Sequence, residues 1–404
     1  MTTSLTVVPG GITAPRGFRA AGLHCGIKAN GRPDLALVAC DEVASAVGLF
    51  TLNLAKAAPV VVSQAHLASS GGRARAVVTN SGCANACTGP QGLTDAREMA
   101  TLTAAALGCR AEEVLVASTG VIGVNLKMPA LRAGIPTACA ALSTEGWAAA
   151  ADGIMTTDPF PKSAAVEVST PAGRFRVGGM AKGSGMIEPR LATMLGYLTT
   201  DAAVDPARLH RVLTEACRDT FNAITVDGEP STNDCVFALA GGASGVAIDD
   251  ATEAALVAGV RAVARDLALG IVRGGEGATK LVSITASDAA TEADAWTAAR
   301  AIANSLLVKT AIHGGDPNWG RLVAAAGRSG AAFVLDRARV RIGPLVLFAD
   351  GRPFDELAPA AADYLRGTDL EIDVGLGTGG GASATVWTCD LSKMYVQINA
   401  EYRT

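Results

Sequence analysis

Apolar residues recur along this chain in two rhythms. Short runs with almost no polar interruption, Asp34–Cys40, Val47–Leu52, Ala74–Thr79, Val114–Ala117, Cys235–Leu239 and Lys280–Ile284, have the length of strands rather than helices. Alternation over Ala164–Ser169 and Phe175–Val177, bridged by Pro171-Ala172-Gly173, predicts a hairpin. Helical spacing appears over Thr94–Leu107, Asp205–Asp219, Ala251–Leu267 and Ala290–Ser305, with Pro206 placed in a first turn. Ile135–Asp152 reads as mostly helical, with Pro136 in its first turn. Gly11–Phe18 and Met155–Pro159 read as loops, and Ala338–Ile398 as strands separated by glycine turns. Neither a repeat nor a low-complexity tract interrupts the pattern. The mixture predicts an α/β (α+β layered) fold, with helices packed on mixed β-sheets.

At 404 residues the chain has room for two domains or one large layered one. It is 49% hydrophobic, 18% charged and only 4% aromatic, with 46 glycines, so helices and sheets should approach closely. A net charge of −4 argues against nucleic-acid or anionic-membrane partners. No apolar run nears the roughly 18 residues of a membrane span. The start Met1-Thr2-Thr3-Ser4-Leu5-Thr6 lacks the basic and apolar regions of a signal peptide, so a cytoplasmic location is expected. Nine cysteines (Cys25, Cys40, Cys83, Cys87, Cys109, Cys139, Cys217, Cys235, Cys389) are scattered as reduced buried thiols would be. The close pair Cys83 and Cys87 lacks a second pair or histidines for zinc, and no metal or cofactor site is expected.

The stretch Lys182-Gly183-Ser184-Gly185-Met186-Ile187-Glu188-Pro189-Arg190-Leu191-Ala192-Thr193-Met194-Leu195 carries the most chemical promise. A threonine hydroxyl is a poor nucleophile without a base, and no histidine lies nearby along the chain. Cleavage between Ala192 and Thr193 would supply one, because a free α-amine has a pKa of about 7.7–8.0. On residue type alone, Thr193 reads as a β-branched strand residue. Other segments are similarly open. Thr119-Gly120 after a strand offers a hydroxyl and a backbone N–H, or a plain turn. Lys182 is a substrate contact or a solvated charge, Glu276 a substrate-ammonium partner or a turn acid, and the tail through Asn399 to Thr404 a frayed end.

Resemblance separates these readings. KGSGMIEPRLATML is similar to the autoprocessing segment of the ornithine acetyltransferase (glutamate N-acetyltransferase) family, with Arg190-Leu191 where the family has Asn-Met. VLVASTGVIG, MTTD, GGEGATK and the terminal VQINAEYRT match further family segments, from about Gly11 to Thr404. The resemblance implies a self-cleaving N-terminal-nucleophile enzyme with an α piece, 1–192, and a β piece, 193–404. It implies Thr193 as nucleophile, Thr119 and Gly120 as oxyanion hole, and Thr156, Lys182, Thr193, Glu276, Asn399 and Thr404 as substrate contacts. The activity implied is acetyl transfer from N2-acetylornithine to L-glutamate, in arginine biosynthesis or a specialised pathway. Acetyl-CoA is a possible second donor, no cofactor is needed, and two α and two β pieces form a heterotetramer. A related self-cleaving amidase or aminopeptidase, and a non-processing amino-acid-binding protein, are the alternatives.

Two further motifs have bland readings. Gly375–Gly380 fits G-x-G-x-x-G but precedes a strand-like Ala382–Trp387, so a hairpin turn is expected instead of a dinucleotide loop. Asp227, Glu229 and Asp234 lack calcium-loop spacing, which favours a hydrogen-bonded loop. No role is assigned to that loop or to His313–Arg321.

Overall fold

The runs expected as separate strands at Asp34–Cys40 and Val47–Leu52 are halves of one strand, Leu35–Phe50. Its register shifts between Ala39 and Ala44, where Asp41, Glu42 and Val43 face solvent and break the apolar pattern. The bulge lets one strand pair with different partners along its two halves.

This computed structural model describes residues 3–188 and 194–401. The chain divides into two units, Met1–Asn222 with Pro230–Ile271, and Ala223–Glu229 with Val272–Arg403.

In the first unit the strands are β1 (Ser4–Val7), β2 (Phe18–Leu23), β3 (Leu35–Phe50), β4 (Arg73–Cys83), β5 (Val114–Val121), β6 (Lys162–Thr170), β7 (Gly173–Lys182), β8 (Leu195–Thr200) and β9 (Cys235–Ala240). They form one sheet in the order β1-β6-β7-β8-β9-β3-β4-β5, with β2 on the first half of β3. The helices are α1 (Ala58–Ser69), α2 (Gly89–Leu107), α3 (Met128–Ala140), α4 (Trp147–Gly153), α5 (Pro206–Arg218) and α6 (Glu253–Arg273). Strand residues alternate between two cores. Leu35, Leu37 and Ala39 join Val62 of α1, Met99 and Ala100 of α2 and Leu131 of α3. Ala36, Val38 and Cys40 join Ala150 and Ala151 of α4, with Tyr197 and Phe237. Both faces are covered, which is why these strands read as continuous apolar runs. Each fully buried Leu or Val contributes about 1.5–3 kcal/mol.

The expected hairpin is β6–β7, with Thr170 opposite Gly173. A second hairpin follows directly: β8 runs antiparallel to β7, with Lys182 opposite Leu195, and parallel to β9. The helix expected over Ile135–Asp152 is two helices. α3 starts at Met128 with Pro129 in its first turn, so Pro136 lies inside it, on the exposed face. Ser143 then exchanges backbone hydrogen bonds with Ala20 of β2, at 2.9 and 3.0 Å, and this pairing ends the helical run before α4.

The second unit contains β10 (Leu281–Ala289), β11 (Arg339–Ile342), β12 (Leu345–Ala349), β13 (Arg352–Pro353), β14 (Asp369–Gly375) and β15 (Ala382–Cys389), in the order β13-β12-β11-β14-β10-β15. Its helices are α7 (Glu292–Ala303), α8 (Leu306–Gly314), α9 (Trp319–Gly327), α10 (Ala358–Tyr364) and α11 (Lys393–Glu401). Val282, Ile284, Ile372, Val374 and Val386 pack from one sheet face against Ala298, Ile302, Ile312 and Leu322. Ala338–Ile398 is thus less purely stranded than expected, and Lys393–Glu401 is helical. Gly375–Gly380 is no hairpin: β14 and β15 pair with opposite sides of β10. The loop crosses the end of β10, where Leu376 and Thr378 donate to the Ser287 and Asp288 carbonyls. His313–Arg321 links α8 to α9. Gly315, at φ 69°, ends the first helix, and the Asn318 side chain caps the second at Arg321 N–H, 3.1 Å away.

Candidate active site

In the first unit, β5 and β7 end beside each other's functional groups. The Lys182 ammonium donates to the Thr119 hydroxyl at 3.1 Å, and both residues are buried. Lys182 is the last residue of β7, and its partner Leu195 stands two residues after Thr193. Gly120 follows Thr119 with φ +128°, in the region that favours glycine. A Cβ at Gly120 would lie 2.4 Å from the Gly82 carbonyl carbon and 2.6 Å from the Cys83 nitrogen. The small-residue run Asn80–Cys83 therefore continues β4 and brings its backbone against this glycine.

Asn233 fixes the same strand end. Its side-chain amide donates to the Ala84 carbonyl at 2.6 Å and to the Ser118 carbonyl at 2.9 Å. Ser118 in turn donates to Asn80, at 2.6 Å. The loop Asp227–Asp234 is hydrogen-bonded as expected, and Asn233 gives it a use: it holds the peptide that leads into Thr119. Asp234 is fully buried, and its Oδ2 has no hydrogen-bond partner among the described residues. Burial pushes this carboxyl well above the ordinary range, against the pull of Ser231 and the Lys182 charge.

Thr156 reaches this cluster through Asp158. The buried Asp158 carboxylate accepts from Thr156 N–H at 3.0 Å, Lys162 Nζ at 2.7 Å and Gly183 N–H at 2.8 Å. One acid thus ties the Met155–Pro159 loop, β6 and the residue after Lys182. Burial works to raise its pKa, but Lys162, Lys182 and these hydrogen bonds outweigh it and hold the group at about 2. Burial pushes the Lys162 ammonium down, and the adjacent Asp158 opposes that fall.

In the second unit, Glu276 is buried and accepts from the Asn399 side chain at 2.8 Å. Ser392 donates to the Gly277 carbonyl at 2.6 Å, and Asp390 receives Thr279, Lys280 and His313, so the Glu276 loop is pinned on both sides. Ala192, Thr193 and Thr404 lie outside the described residues. No histidine bonds to Thr119, Thr156 or Lys182 among the described residues, and no His/Cys/Asp/Glu group there has a metal-site arrangement. All nine cysteines are free thiols, and no described helix is long and apolar enough to cross a membrane.

The ArgJ family model matches residues 19–404. An arginine biosynthesis bifunctional protein ArgJ from Symbiobacterium thermophilum is 50% identical, over 98% of this chain and 99% of the relative. Its namesake from a Synechococcus strain is 49% identical, over 98% of both chains. The chain belongs to the ArgJ family. Among solved structures, an ornithine acetyltransferase complexed with ornithine from Mycobacterium tuberculosis is 46% identical. It covers 47% of this chain and 100% of its own, with a TM-score of 0.43.

Of the ArgJ-family residues singled out from sequence, the structure brings Thr119, Gly120 and Lys182 together, with Thr156 linked through Asp158. It separately pairs Glu276 with Asn399. Sequence reasoning missed Asp158, Lys162 and Asn233. The only advance signal for the first two was an acid within the Met155–Pro159 loop and a lysine four residues further on.

Asp158 carries a stability prediction. Its pKa lies below the unfolded value of about 3.9, so its contribution is present at neutral pH. That contribution is lost as pH falls from about 4 towards 2. Asp158→Asn removes it and leaves Lys162 buried without its counter-ion, a loss of about 3–5 kcal/mol at pH 7. Urea unfolding at pH 7 and pH 3 measures both effects. A variant as stable as wild type at pH 7 would rule out this role.

Proposed function

We propose that this protein transfers acetyl from N2-acetylornithine to L-glutamate through an acetyl ester on Thr193, after cutting itself between Ala192 and Thr193. The observation that carries the reading is the buried Lys182–Thr119 contact at the mouth of the β7–β8 hairpin. It brings a cation and an oxyanion-hole candidate to the strand pair whose connection contains the junction. Membership in a family whose relatives are named for arginine biosynthesis supports the substrate class.

In this reading the Thr193 hydroxyl first attacks the Ala192 carbonyl, an N-to-O acyl shift that water resolves into the pieces 1–192 and 193–404. The freed α-amine then takes the proton from its own hydroxyl as that oxygen attacks the acetyl carbonyl. The Thr119 hydroxyl and Gly120 N–H stabilise the developing oxyanion. Lys182, Thr156, Asn399 and Thr404 contact the substrate, and Glu276 pairs with its ammonium. Ornithine leaves, and the glutamate amine attacks the acetyl-threonine ester in the second half of a ping-pong cycle. No cofactor takes part. Acetyl-CoA is included as a second donor, two α and two β pieces as the assembly, and the cytoplasm as the location.

Intact-mass measurement tests the core of this proposal. The purified protein should resolve into the two pieces, and acetylornithine should add one acetyl group to the 193–404 piece. Glutamate should then remove that group as N-acetylglutamate. Acetate release without an acceptor would mark an amidase instead, and one uncut, unacetylated chain would mark a binding protein. Acetylation of the same piece by acetyl-CoA alone tests the second donor.

A further inference from the structure

A second ammonium lies close to the Thr119–Gly120 segment. The aliphatic stem of Lys28 packs over Gly82, where a Cβ would come within 3.0 Å of its Cγ. Gly82 is the register partner of Gly120. The Lys28 ammonium donates to the Pro33 carbonyl at 2.6 Å and to the Met155 carbonyl at 2.7 Å, one residue before Thr156. An ammonium has three donors, and these partners use two. No carboxylate forms a salt bridge with Lys28 among the described residues, although Asp158 and Lys182 both act on its charge.

The loop that carries Lys28 is pinned by side chains. Asp34 gathers the backbone N–H groups of Cys25, Gly26, Ile27 and Lys28 at 2.7–3.2 Å. Lys127 donates to the Gly26 and Ile27 carbonyls, fixing the loop's opposite side. These bonds fix the Lys28 backbone and the Pro33 and Met155 carbonyls hold its ammonium, so little entropy is left to lose on binding.

Charge counting indicates which substrate this suits. Acetylornithine offers one carboxylate and a cationic side chain, whereas glutamate offers two carboxylates. Lys182 suffices for the carboxylate common to both. A second ammonium is surplus for the donor and repels its side chain, but it matches the acceptor's extra charge. We propose that Lys28 is a specificity residue that binds the side-chain carboxylate of the acyl acceptor and so selects a dicarboxylic amino acid. This rests on the acetyltransferase reading.

The same surroundings predict a pH response. Burial pushes Lys28 down to about 8, Arg32 and Lys182 add to the fall, and Asp34 and Asp158 oppose it. The protonated form binds carboxylate, so glutamate affinity should weaken as pH rises through about 8. Arginine stays charged there, so Lys28→Arg should lose this limb.

The test compares wild type, Lys28→Met and Lys28→Arg, measuring glutamate and glutamine binding by calorimetry and KM for both acceptors. In Lys28→Met the preference for glutamate over glutamine should fall at least tenfold, through KM. Acetyl-threonine formation from acetylornithine should change no more than about threefold. Lys28→Arg should keep most of the preference. An unchanged glutamate/glutamine ratio in Lys28→Met would overturn the proposal. Equal loss in both half-reactions would overturn it too, since that marks a loop brace. If wild type forms no acetyl-threonine, the acetyltransferase reading fails by itself, while the binding ratio still decides the role of Lys28.

Discussion

Thr193→Ala is expected to leave one uncut 404-residue chain with no acetyl transfer. On the proposed mechanism, the substitution removes the hydroxyl that would start the cut and, with the cut, the amine that would serve as base. Because one residue supplies both groups, the losses coincide, and activity should fall by roughly 10⁴-fold or more. Thr193→Ser keeps a hydroxyl and is expected to cut more slowly, with activity appearing in step with the 193–404 piece. A denaturing gel followed over time, with an acetyl-exchange assay on the same samples, measures this. Transfer by uncut Thr193→Ala at anything near the wild-type rate would mean that another group is the nucleophile.

Gly120→Ala is expected to damage fold and chemistry together. The new methyl meets backbone atoms of Gly82 and Cys83 at 2.4–2.7 Å, and backbone cannot swing aside as a flexible side chain would. The φ of +128° adds its own strain for any residue with a Cβ. Together these are worth about 3–5 kcal/mol. On the proposed mechanism, any displacement of the Gly120 N–H should also weaken oxyanion stabilisation, for which one lost donor costs about 10²–10³ in rate. Urea unfolding and single-turnover acetylation give the two numbers separately. A variant with wild-type stability and turnover would show that the β4–β5 approach at Gly82 is looser than described and that Gly120 is not a donor.

The parts legible in the sequence share one property: their pattern is decided locally. The β6–β7 hairpin shows because its strands alternate and Pro171-Ala172-Gly173 marks the turn. The strands around β3 show because both faces are covered, leaving runs such as Leu35–Cys40 nearly free of polar residues. Where a distant partner decides, the pattern misleads. Ser143 ends α3 by pairing with Ala20, which no helical periodicity announces. The loop after β14 looked like a hairpin because its glycines do not reveal that β10 lies between the flanking strands. The site follows the same rule. Lys182 and Thr119 were named through motif resemblance, since nothing in their own segments points to a contact across 63 residues. Asp158 and Asn233 work by joining segments that are remote in sequence, and that is why they were missed.

The position of β8 also bears on the proposed cut. It is an interior strand, held by β7 on one side and β9 on the other. If the connection between β7 and β8 is severed, the β7–β8 ladder hydrogen bonds still lace the two products together. On the proposed self-cleavage, a copy whose sheet does not bring Thr119 and Lys182 together should keep its connection intact. If the protein cuts itself as proposed, the proportion of full-length chain in a cell extract would then track folding yield, readable from a single gel lane.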